Sequence, residues 1–452
     1  MMPSTTPRWP GLPPALLNLR RGETGPVLLA GLLFFLLLTA LMLLRPARDA
    51  LGMERGIESI RWLFIGTALA TLAVNPVFGW LVSRLRRLQF IGATYGFFAL
   101  SLAGFWALLM FAPEATGRGS GQVFYVWSSV FNLFVVMVFW ALMADRFTRD
   151  QGERLFAPIS VGGTLGAIFG PWLTAGLARP LGTPGLLLLA AGFLLLAVAA
   201  AWLLVRSSPD RPDPAAPPTF PDEAERVGGS AWAGLRAVLR SRYLTGIAAY
   251  VLLMTVVATT IYFTRLQMVA AVSDSVDARA AILGSIDMWT QIAVLVLQLT
   301  LTGRIIRRFG LGAALAILPA VTVLGFLGLA LYGSFLVLVL LEATTRAVQR
   351  GITRPAREAL FTAVDREDKY KAKALIDTFV YRAGDVVGAQ TEGLLGRLGL
   401  TLAGLVGVVV PLALVWAALG LWLGRARMRR AGPPAAAATE DRTTHAGAVA
   451  AS

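Results

Sequence analysis

Residues 26–51 read PVLLAGLLFFLLLTALMLLRPARDAL, an uncharged apolar run followed by Arg45, Arg48 and Asp49. The apolar part, 26–44, has about the 20 residues that an α-helix needs to cross the hydrocarbon core of a bilayer. It is too long to be a removed signal peptide, and it lacks a suitable small-residue cleavage site. The stretch therefore predicts a membrane-spanning helix with charged residues near its end.

The composition of the whole chain supports the same class. Its 452 residues are 56% hydrophobic and only 15% charged, which excludes an ordinary soluble domain. The net charge is +15, which in a soluble protein would suggest a nucleic-acid partner. Here the arginines cluster in short loops between apolar segments, so we expect no nucleic acid and interpret them as the orientation signal of an inner-membrane protein.

Apolar segments of roughly 20 residues recur along the chain in two sets of six. The first set is 26–44, 60–82, 88–112, 122–147, 156–178 and 182–205. The second set is 243–269, 281–303, 311–332, 334–350, 374–395 and 400–423. We therefore expect an all-α polytopic membrane protein with about twelve transmembrane helices in two six-helix halves.

These segments divide the chain into five predicted parts. The parts are an N-terminal tail 1–25, a first half 26–205, a linker 206–242, a second half 243–424 and a C-terminal tail 425–452. The linker is rich in proline and charge, and we expect a short amphipathic helix near its end, around Ala231–Arg240. The C-terminal tail is rich in Ala, Thr and Pro and is predicted to be disordered.

Two loops suggest an internal repeat. GWLVSRLRR (79–87) follows the second span, and the similar GRIIRRFG (303–310) follows the eighth. Both resemble the glycine-plus-basic loop of the major facilitator superfamily, with Ser83 and Arg307 in place of its acidic residue. Basic residues also concentrate after the even-numbered spans, which predicts that both termini are cytoplasmic.

The residue inventory narrows the possible chemistry. The chain has no cysteine, and its one histidine, His445, lies in the polar tail. These counts exclude a Ser-His-Asp triad and a histidine metal site. No GxxxxGK[ST] loop occurs, which excludes ATP hydrolysis. We expect no catalytic residue, metal or cofactor, and any transport would be secondary.

A second informative stretch, 341–392, reads LEATTRAVQRGITRPAREALFTAVDREDKYKAKALIDTFVYRAGDVVGAQTE. Glu342, Arg346, Arg350 and Arg354 follow at four-residue steps, which predicts that they line one face of a helix. Charges inside apolar spans are expensive in lipid, so they should face a protein interior or a water-filled cavity. Such residues commonly mark a substrate or ion pathway.

Further charges lie in other spans, Arg265 in the seventh and Asp287 in the eighth. Arg45, Arg48, Arg265 and Arg350 have few acidic neighbours in sequence, so we expect them to bind an anion, with Arg346 as a further candidate. Pairing and function remain equally open for Glu342 with Arg346 and for Arg382 with Asp377 or Asp385. The candidates for coupling or charge pairing are Asp49, Asp287, Glu342, Asp377, Arg382 and Asp385.

Two uncharged groups have structural explanations. Helix packing is favoured over substrate contact for the small-residue faces formed by Gly162, Gly163, Gly166 and Gly170. Trp127 and Trp140 lie deep in the fourth span. For these two tryptophans, stacking on a planar ligand and core packing both remain open.

Three strings resemble one transporter family, the ATP/ADP exchange translocases of plastids and intracellular bacteria, within the major facilitator superfamily. They are LLRPARDAL (43–51), VWSSVFNLFVVMVFW (126–140) and RPAREALFTAVDREDKYKAKALID (354–377). The resemblance implies that Arg48 stands at a substrate-related lysine, and that Lys371 and Lys373 match a basic entrance and contact substrate. Asp385 and Tyr125 depart from the family, which has a lysine and a glutamate there.

Three functions follow as hypotheses. The leading one is a monomeric secondary transporter of the inner membrane that exchanges an organic anion, with a nucleotide as the most specific candidate and another phosphorylated or carboxylated metabolite as the variant. The second is a proton-coupled porter in which Asp287, Asp377 or Asp385 carries the proton. The third is a membrane protein that uses this fold for assembly or sensing and transports nothing.

Overall fold

The computed structural model describes residues 19–20, 22–84, 87–111, 114–207, 231–300, 302–399 and 402–431. Most of the predicted N-terminal tail, linker residues 208–230 and the C-terminal tail from 432 lie outside these ranges, as do residues 85–86 of the first repeated loop. Within the ranges the regular elements are all helical. The predicted all-α polytopic class is therefore confirmed.

The first part of the chain forms five helices, α1 (Thr24–Gly52), α2 (Ile57–Arg84), α3 (Arg87–Phe111), α4 (Glu114–Arg146) and α5 (Arg149–Ser207). A short helix follows, α6 (Ala231–Arg240). The second part forms α7 (Arg242–Val272), α8 (Val276–Thr300), α9 (Thr302–Tyr332), α10 (Phe335–Val348), α11 (Arg354–Leu360), α12 (Arg366–Leu375), α13 (Tyr381–Arg397) and α14 (Leu402–Ala431).

Each predicted span overlaps one of these helices, although not one for one. The spans 156–178 and 182–205 both fall in α5, where Gly182 turns the chain with φ +70°. The spans 334–350 and 374–395 run through two π-helical segments, Gln349–Thr353 and Ile376–Val380. Nine helical stretches of the described chain are long and apolar enough to cross a membrane. The predicted helix in the linker is confirmed as α6.

Helices α1 and α5 pack in close contact, and this contact depends on the predicted glycine face. A Cβ atom added at Gly162 would lie 2.1 Å from the backbone oxygen of Gly31, and one at Gly166 would lie 2.3 Å from that of Phe35. No side chain fits at such distances, so the two backbones touch because these residues are glycine. The packing role predicted for this face is confirmed.

Close packing over glycine residues also joins α7 to α13. A Cβ atom at Gly388 would lie 2.9 Å from the backbone oxygen of Val256, and one at Gly384 would lie 1.7 Å from Thr255 Oγ1. Two glycines of α13, one helical turn apart, thus allow α7 to pack closely here as well. This second glycine face gives structural support to an internal repeat, and our sequence analysis missed it.

The chain groups into two compact units, and these differ from the two predicted halves. Unit 1 contains Met1–Glu225 and Phe263–Ile292, and unit 2 contains Arg226–Tyr262 and Ala293–Ser452. The first part of α8 belongs to unit 1 because it packs tightly on α5, where a Cβ atom at Gly284 would lie 2.8 Å from the backbone nitrogen of Ala175. Asp277 Oδ1 also accepts hydrogen bonds from the backbone N–H and the hydroxyl of Thr183, both at 2.6 Å.

Glu23, just before α1, fastens this helix to the start of α5. Its carboxylate accepts hydrogen bonds from Arg154 at 3.0 and 3.3 Å, from Gln151 at 3.3 Å and from the backbone N–H of Arg20 at 2.9 Å. The hydrogen bond from Arg154 is the main reason that the pKa of Glu23 falls to about 2. The ionised form of Glu23 is therefore stabilised in the folded protein.

We expect Gly166→Ala to destabilise unit 1, because the added methyl group has to push α1 away from α5. Overpacking of this kind costs about 1–3 kcal/mol. Gly176→Ala is the matched control in the same helix, since no atom lies within 4 Å of a Cβ atom there. Thermal unfolding of the purified protein in detergent measures both variants. Equal melting temperatures for the Gly166→Ala and Gly176→Ala proteins would contradict the packing role.

We expect Glu23→Gln to lower thermal stability near neutral pH, with a difference that depends on pH. The pKa of Glu23 is lowered from its ordinary value of 4.5 to about 2, so its stabilising contribution is present above 4.5 and is lost as the pH falls towards 2. Melting curves of wild type and variant from about pH 3 to about pH 7 should converge at the acidic end. A difference that stays constant with pH would indicate a packing effect instead.

Candidate functional site

The parts of three helices that belong to unit 1 bring five charged side chains together in what we call the outer cluster. Its members are Arg45, Arg48 and Asp49 from the end of α1, Arg265 from α7 and Asp287 from α8. The close packing of α1 on α5 fixes the position of the α1 end. Thr174 of α5 also donates a hydrogen bond to the backbone oxygen of Leu43 at 2.9 Å.

Arg265 forms the centre of the outer cluster. Its Nη2 atom donates to Asp49 Oδ2 at 2.8 Å, and its Nη1 atom donates to Asp287 Oδ1 at 2.9 Å. The side chains of Arg265 and Asp49 are completely buried, and that of Asp287 is 3% exposed. Arg265 therefore ties α1 to α8 through two charge-assisted hydrogen bonds.

Arg48 and Arg45 lie at the edge of the outer cluster. Arg48 donates from Nε and Nη2 to Asp49 Oδ1 at 2.9 and 2.6 Å, and its guanidinium carbon is 4.7 Å from the centre of the Tyr125 ring. The Nε atom of Arg45 is 3.7 Å from Asp287 Oδ2. Unlike Arg265, these side chains remain 19% and 26% exposed. Arg45 and Arg48 therefore keep part of their surface accessible, whereas Arg265 has none.

These ion pairs correct one expectation. The prediction that Arg45, Arg48 and Arg265 have too few acidic partners is wrong, because Asp49 and Asp287 serve all three. Three of the four pairs join residues on different helices, which neighbourhood in sequence cannot reveal. Three guanidinium groups against two carboxylates still give the cluster a formal charge of +1.

Unit 2 holds the second group of candidates, beginning with α10. Glu342 is almost completely buried and forms an ion pair with Arg346, four residues later. The π-helical segment Gln349–Thr353 then widens the helix, and it carries Arg350, which is partly buried. Arg354 comes directly after this segment and is exposed. The prediction that all four residues share one face is wrong for Arg354, because a π turn holds an extra residue and rotates the residues beyond it.

The charged side chains further along this region pair among themselves. Arg382 Nη1 lies 3.4 Å from Asp385 Oδ2, so Asp385 rather than Asp377 is its partner, and Thr259 donates a weak hydrogen bond to Asp385 at 3.5 Å. Asp377 lies in the π segment Ile376–Val380 and pairs with Arg357 at 3.3 Å. The structure thus shows which acid lies beside Arg382 and which lies beside Arg357.

Arg357 is a residue that our sequence analysis did not single out. It lies within the same string as the other candidates, and its partner Asp377 is 20 residues further along the chain. The neighbouring Glu358 accepts a hydrogen bond from Lys373 at 2.6 Å. The predicted substrate contact Lys373 therefore has an acidic partner, while Lys371 is partly buried on the same helix, α12.

The two tryptophans left open by sequence lie in aromatic packing. Trp127 has its ring 5.2–5.5 Å from four phenylalanine rings, those of Phe98, Phe105, Phe124 and Phe131. The ring of Trp140 lies 5.2–5.7 Å from those of Phe34, Phe139 and Phe156. These contacts favour core packing for both residues. Among the described residues, no group of three or more acidic or histidine side chains is arranged to hold a metal ion.

Comparison with known proteins agrees with this architecture. The family model of the Major Facilitator Superfamily matches residues 27–348, and no curated protein matches. The bacterial homologue of the iron transporter ferroportin, in an inward-facing state, is 14% identical with a TM-score of 0.63, covering 91% of this chain and 99% of its own. The nucleoside transporter NupG is 16% identical with a TM-score of 0.59, covering 91% and 100%. At these identities the likeness shows the fold alone.

We expect Arg265→Gln to destabilise the protein in the absence of any ligand. Without Arg265, two carboxylates stay buried with their main compensating charge removed, which typically costs about 3–5 kcal/mol. Thermal unfolding in detergent measures the loss, with the exposed Arg179→Gln as control. Adding Asp49→Asn and Asp287→Asn to Arg265→Gln should restore part of the stability. An Arg265→Gln protein as stable as the control would show that the ion pairs contribute little.

Proposed function

The chain belongs to the Major Facilitator Superfamily, and from this premise we propose that it is a secondary transporter that exchanges an organic anion by alternating access. The observation that carries the proposal is the outer cluster, which has a formal charge of +1 and two partly exposed arginines. A buried net charge is costly, and an anion beside it offsets that cost. Arg45 and Arg48 are the proposed substrate contacts, and Arg265 is the residue that holds their carboxylate partners in place.

Arginine supports this proposal by its geometry. The planar guanidinium group presents several donors in a fixed fork that matches a carboxylate or phosphate. Tyr125 lies over the Arg48 guanidinium, and such a stacked arginine keeps its plane fixed. A phosphorylated or carboxylated metabolite therefore suits this edge of the cluster better than a neutral or cationic solute.

Exchange, rather than one-way movement, follows from the same charge. If the empty carrier closes around a net positive cluster, it has to bury that charge, whereas the loaded carrier closes around a neutralised one. The loaded form should therefore reorient faster in both directions. A nucleotide is the most specific candidate, supported by the sequence resemblance of residues 354–377, and in unit 2 Arg346, Arg350, Lys371 and Lys373 are proposed to help bind it.

A proton-coupled porter is the second candidate, and one site favours it. Asp385 is only 19% exposed, and its carboxylate lies between Arg382 and Thr259 at the glycine-mediated contact of α13 with α7. A partly buried carboxylate with one cationic neighbour can exchange a proton as its surroundings change. In this version Asp385 couples transport to the proton gradient.

We also propose the setting of this transporter. It is placed in a bacterial inner membrane as a monomer, with both termini cytoplasmic. The support is the distribution of arginine and lysine after the even-numbered spans.

In liposomes, we expect labelled anion uptake to be strong when unlabelled anion is preloaded and near background when the lumen is empty. Thermal-shift screening with nucleotides, sugar phosphates and dicarboxylates first identifies the anion, because a ligand of the folded state raises its stability. Uptake into empty vesicles driven by an inward proton gradient, and abolished by Asp385→Asn, would replace exchange with the proton-coupled candidate.

In the same assay, Arg48→Gln should lower exchange at least tenfold, the effect of losing about 1.4 kcal/mol of anion binding. It should do so without the stability loss of Arg265→Gln, since Asp49 keeps its bond to Arg265. Arg179→Gln is again the control for a charge removed elsewhere. If Arg48→Gln exchanges normally, the substrate does not contact the outer cluster.

A further inference from the structure

The linker helix α6 is fixed to unit 2 by one face. Gly234 and Val238, one helical turn apart, are buried there. A Cβ atom at Gly234 would lie 2.8 Å from the backbone oxygen of Lys371 and 3.4 Å from Leu375 Cβ, so α6 rests directly on the backbone of α12. Because a glycine sets this close approach, the helix is held in one rotation about its axis.

The opposite side of α6 is exposed and has two kinds of side chain. Arg236 and Arg240 are exposed there, and Leu239 between them is 68% exposed. At 100° per residue these three positions form one continuous arc away from the Gly234 face. A large exposed leucine beside two exposed arginines on one arc is the pattern of a helix that lies in a membrane interface.

The surrounding elements place this arc at the edge of the predicted hydrocarbon layer. Only Ser241 separates α6 from α7, whose apolar span begins at once. The end of α14 lies beside the start of α7, since the Arg430 guanidinium carbon is 4.6 Å from the centre of the Tyr243 ring. α6 therefore lies at the level where spanning helices leave the hydrocarbon.

We propose that this surface binds the headgroups of anionic phospholipids. The surface consists of Leu239 and five exposed arginines, Arg236, Arg240, Arg242, Arg429 and Arg430. The guanidinium groups would bind lipid phosphates, and Leu239 would enter the boundary of the acyl chains. A soluble polyanion would satisfy the arginines but would leave Leu239 in water, so the lipid is the better match.

Lipid bound to α6 would be linked through α12 to the candidate site residues of unit 2. α6 rests on the part of α12 that carries Lys373, which pairs with Glu358, and α12 continues into the π segment with Asp377. A headgroup bound to α6 would hold α6 against α12 and so stabilise this end of unit 2. Anionic lipid would then stabilise the protein, whether or not the proposed anion exchange is correct.

The test is thermal unfolding of the full-length protein in mixed micelles that contain phosphatidylcholine or phosphatidylglycerol. We expect phosphatidylglycerol to raise the melting temperature more than phosphatidylcholine, and high salt to reduce the difference. Arg236→Gln with Arg240→Gln should remove roughly half of this difference, because two of the five arginines are lost. Arg55→Gln with Arg179→Gln removes the same charge from exposed positions elsewhere, and should leave the difference intact.

Leu239→Gln and inorganic phosphate separate the lipid from a free anion. Leu239→Gln should reduce the effect of phosphatidylglycerol although every arginine remains, and phosphate alone should not reproduce the effect. The proposal is overturned if the two double variants behave alike, or if phosphate stabilises the wild type as much as phosphatidylglycerol does. Because the readout is stability, either result is independent of the transport assay.

Discussion

A guanidinium group sealed from water between two carboxylates holds α1, α7 and α8 together within unit 1. Arg265 can be completely buried because Asp49 and Asp287 each accept one of its hydrogen bonds, and both aspartates can be buried because Arg265 compensates them. Such a group is stable only while all of its members are in place, since removing one leaves a buried charge uncompensated. The contact of α1 with α5 is the precondition, because the glycines of α5 set where the end of α1 lies.

The charged residues inside the apolar spans therefore differ in role according to how exposed their side chains are. Arg265 belongs to the framework, whereas Arg45 and Arg48 extend from the same cluster towards exposed surface. In unit 2, the Glu342–Arg346 pair is likewise the more buried part, and Asp377 and Lys373 lie in more exposed pairs nearer the α11–α12 connection. The candidate site residues are thus better sorted by burial and partner than by their presence in a span.

Sequence predicted those features that depend on local pattern. Hydropathy placed a span in each of the nine stretches of the described chain that are long and apolar enough to cross a membrane, although α1, α4 and α9 extend well beyond the predicted bounds. The residues 231–240 were recognised as a helix, and glycine spacing identified the α5 packing face. It could not predict which acid meets which arginine, because the partners of Arg265 come from α1 and α8. It also missed Arg357, which follows the π segment Gln349–Thr353 and whose partner Asp377 lies 20 residues further along the chain.

That π segment also affects how this chain can be compared with its relatives. A π turn accommodates one residue more than an α turn, so side chains beyond it are displaced by about 100°, the angle of one residue. The match to the superfamily ends at residue 348, and the π segment begins at Gln349. In a relative whose helix lacks such a turn, the side chains that correspond to Arg354 and Arg357 would therefore lie about 100° away around the helix axis. In a comparison with such a relative, residues beyond Gln349 have to be aligned by structure, with one residue of this chain left unmatched.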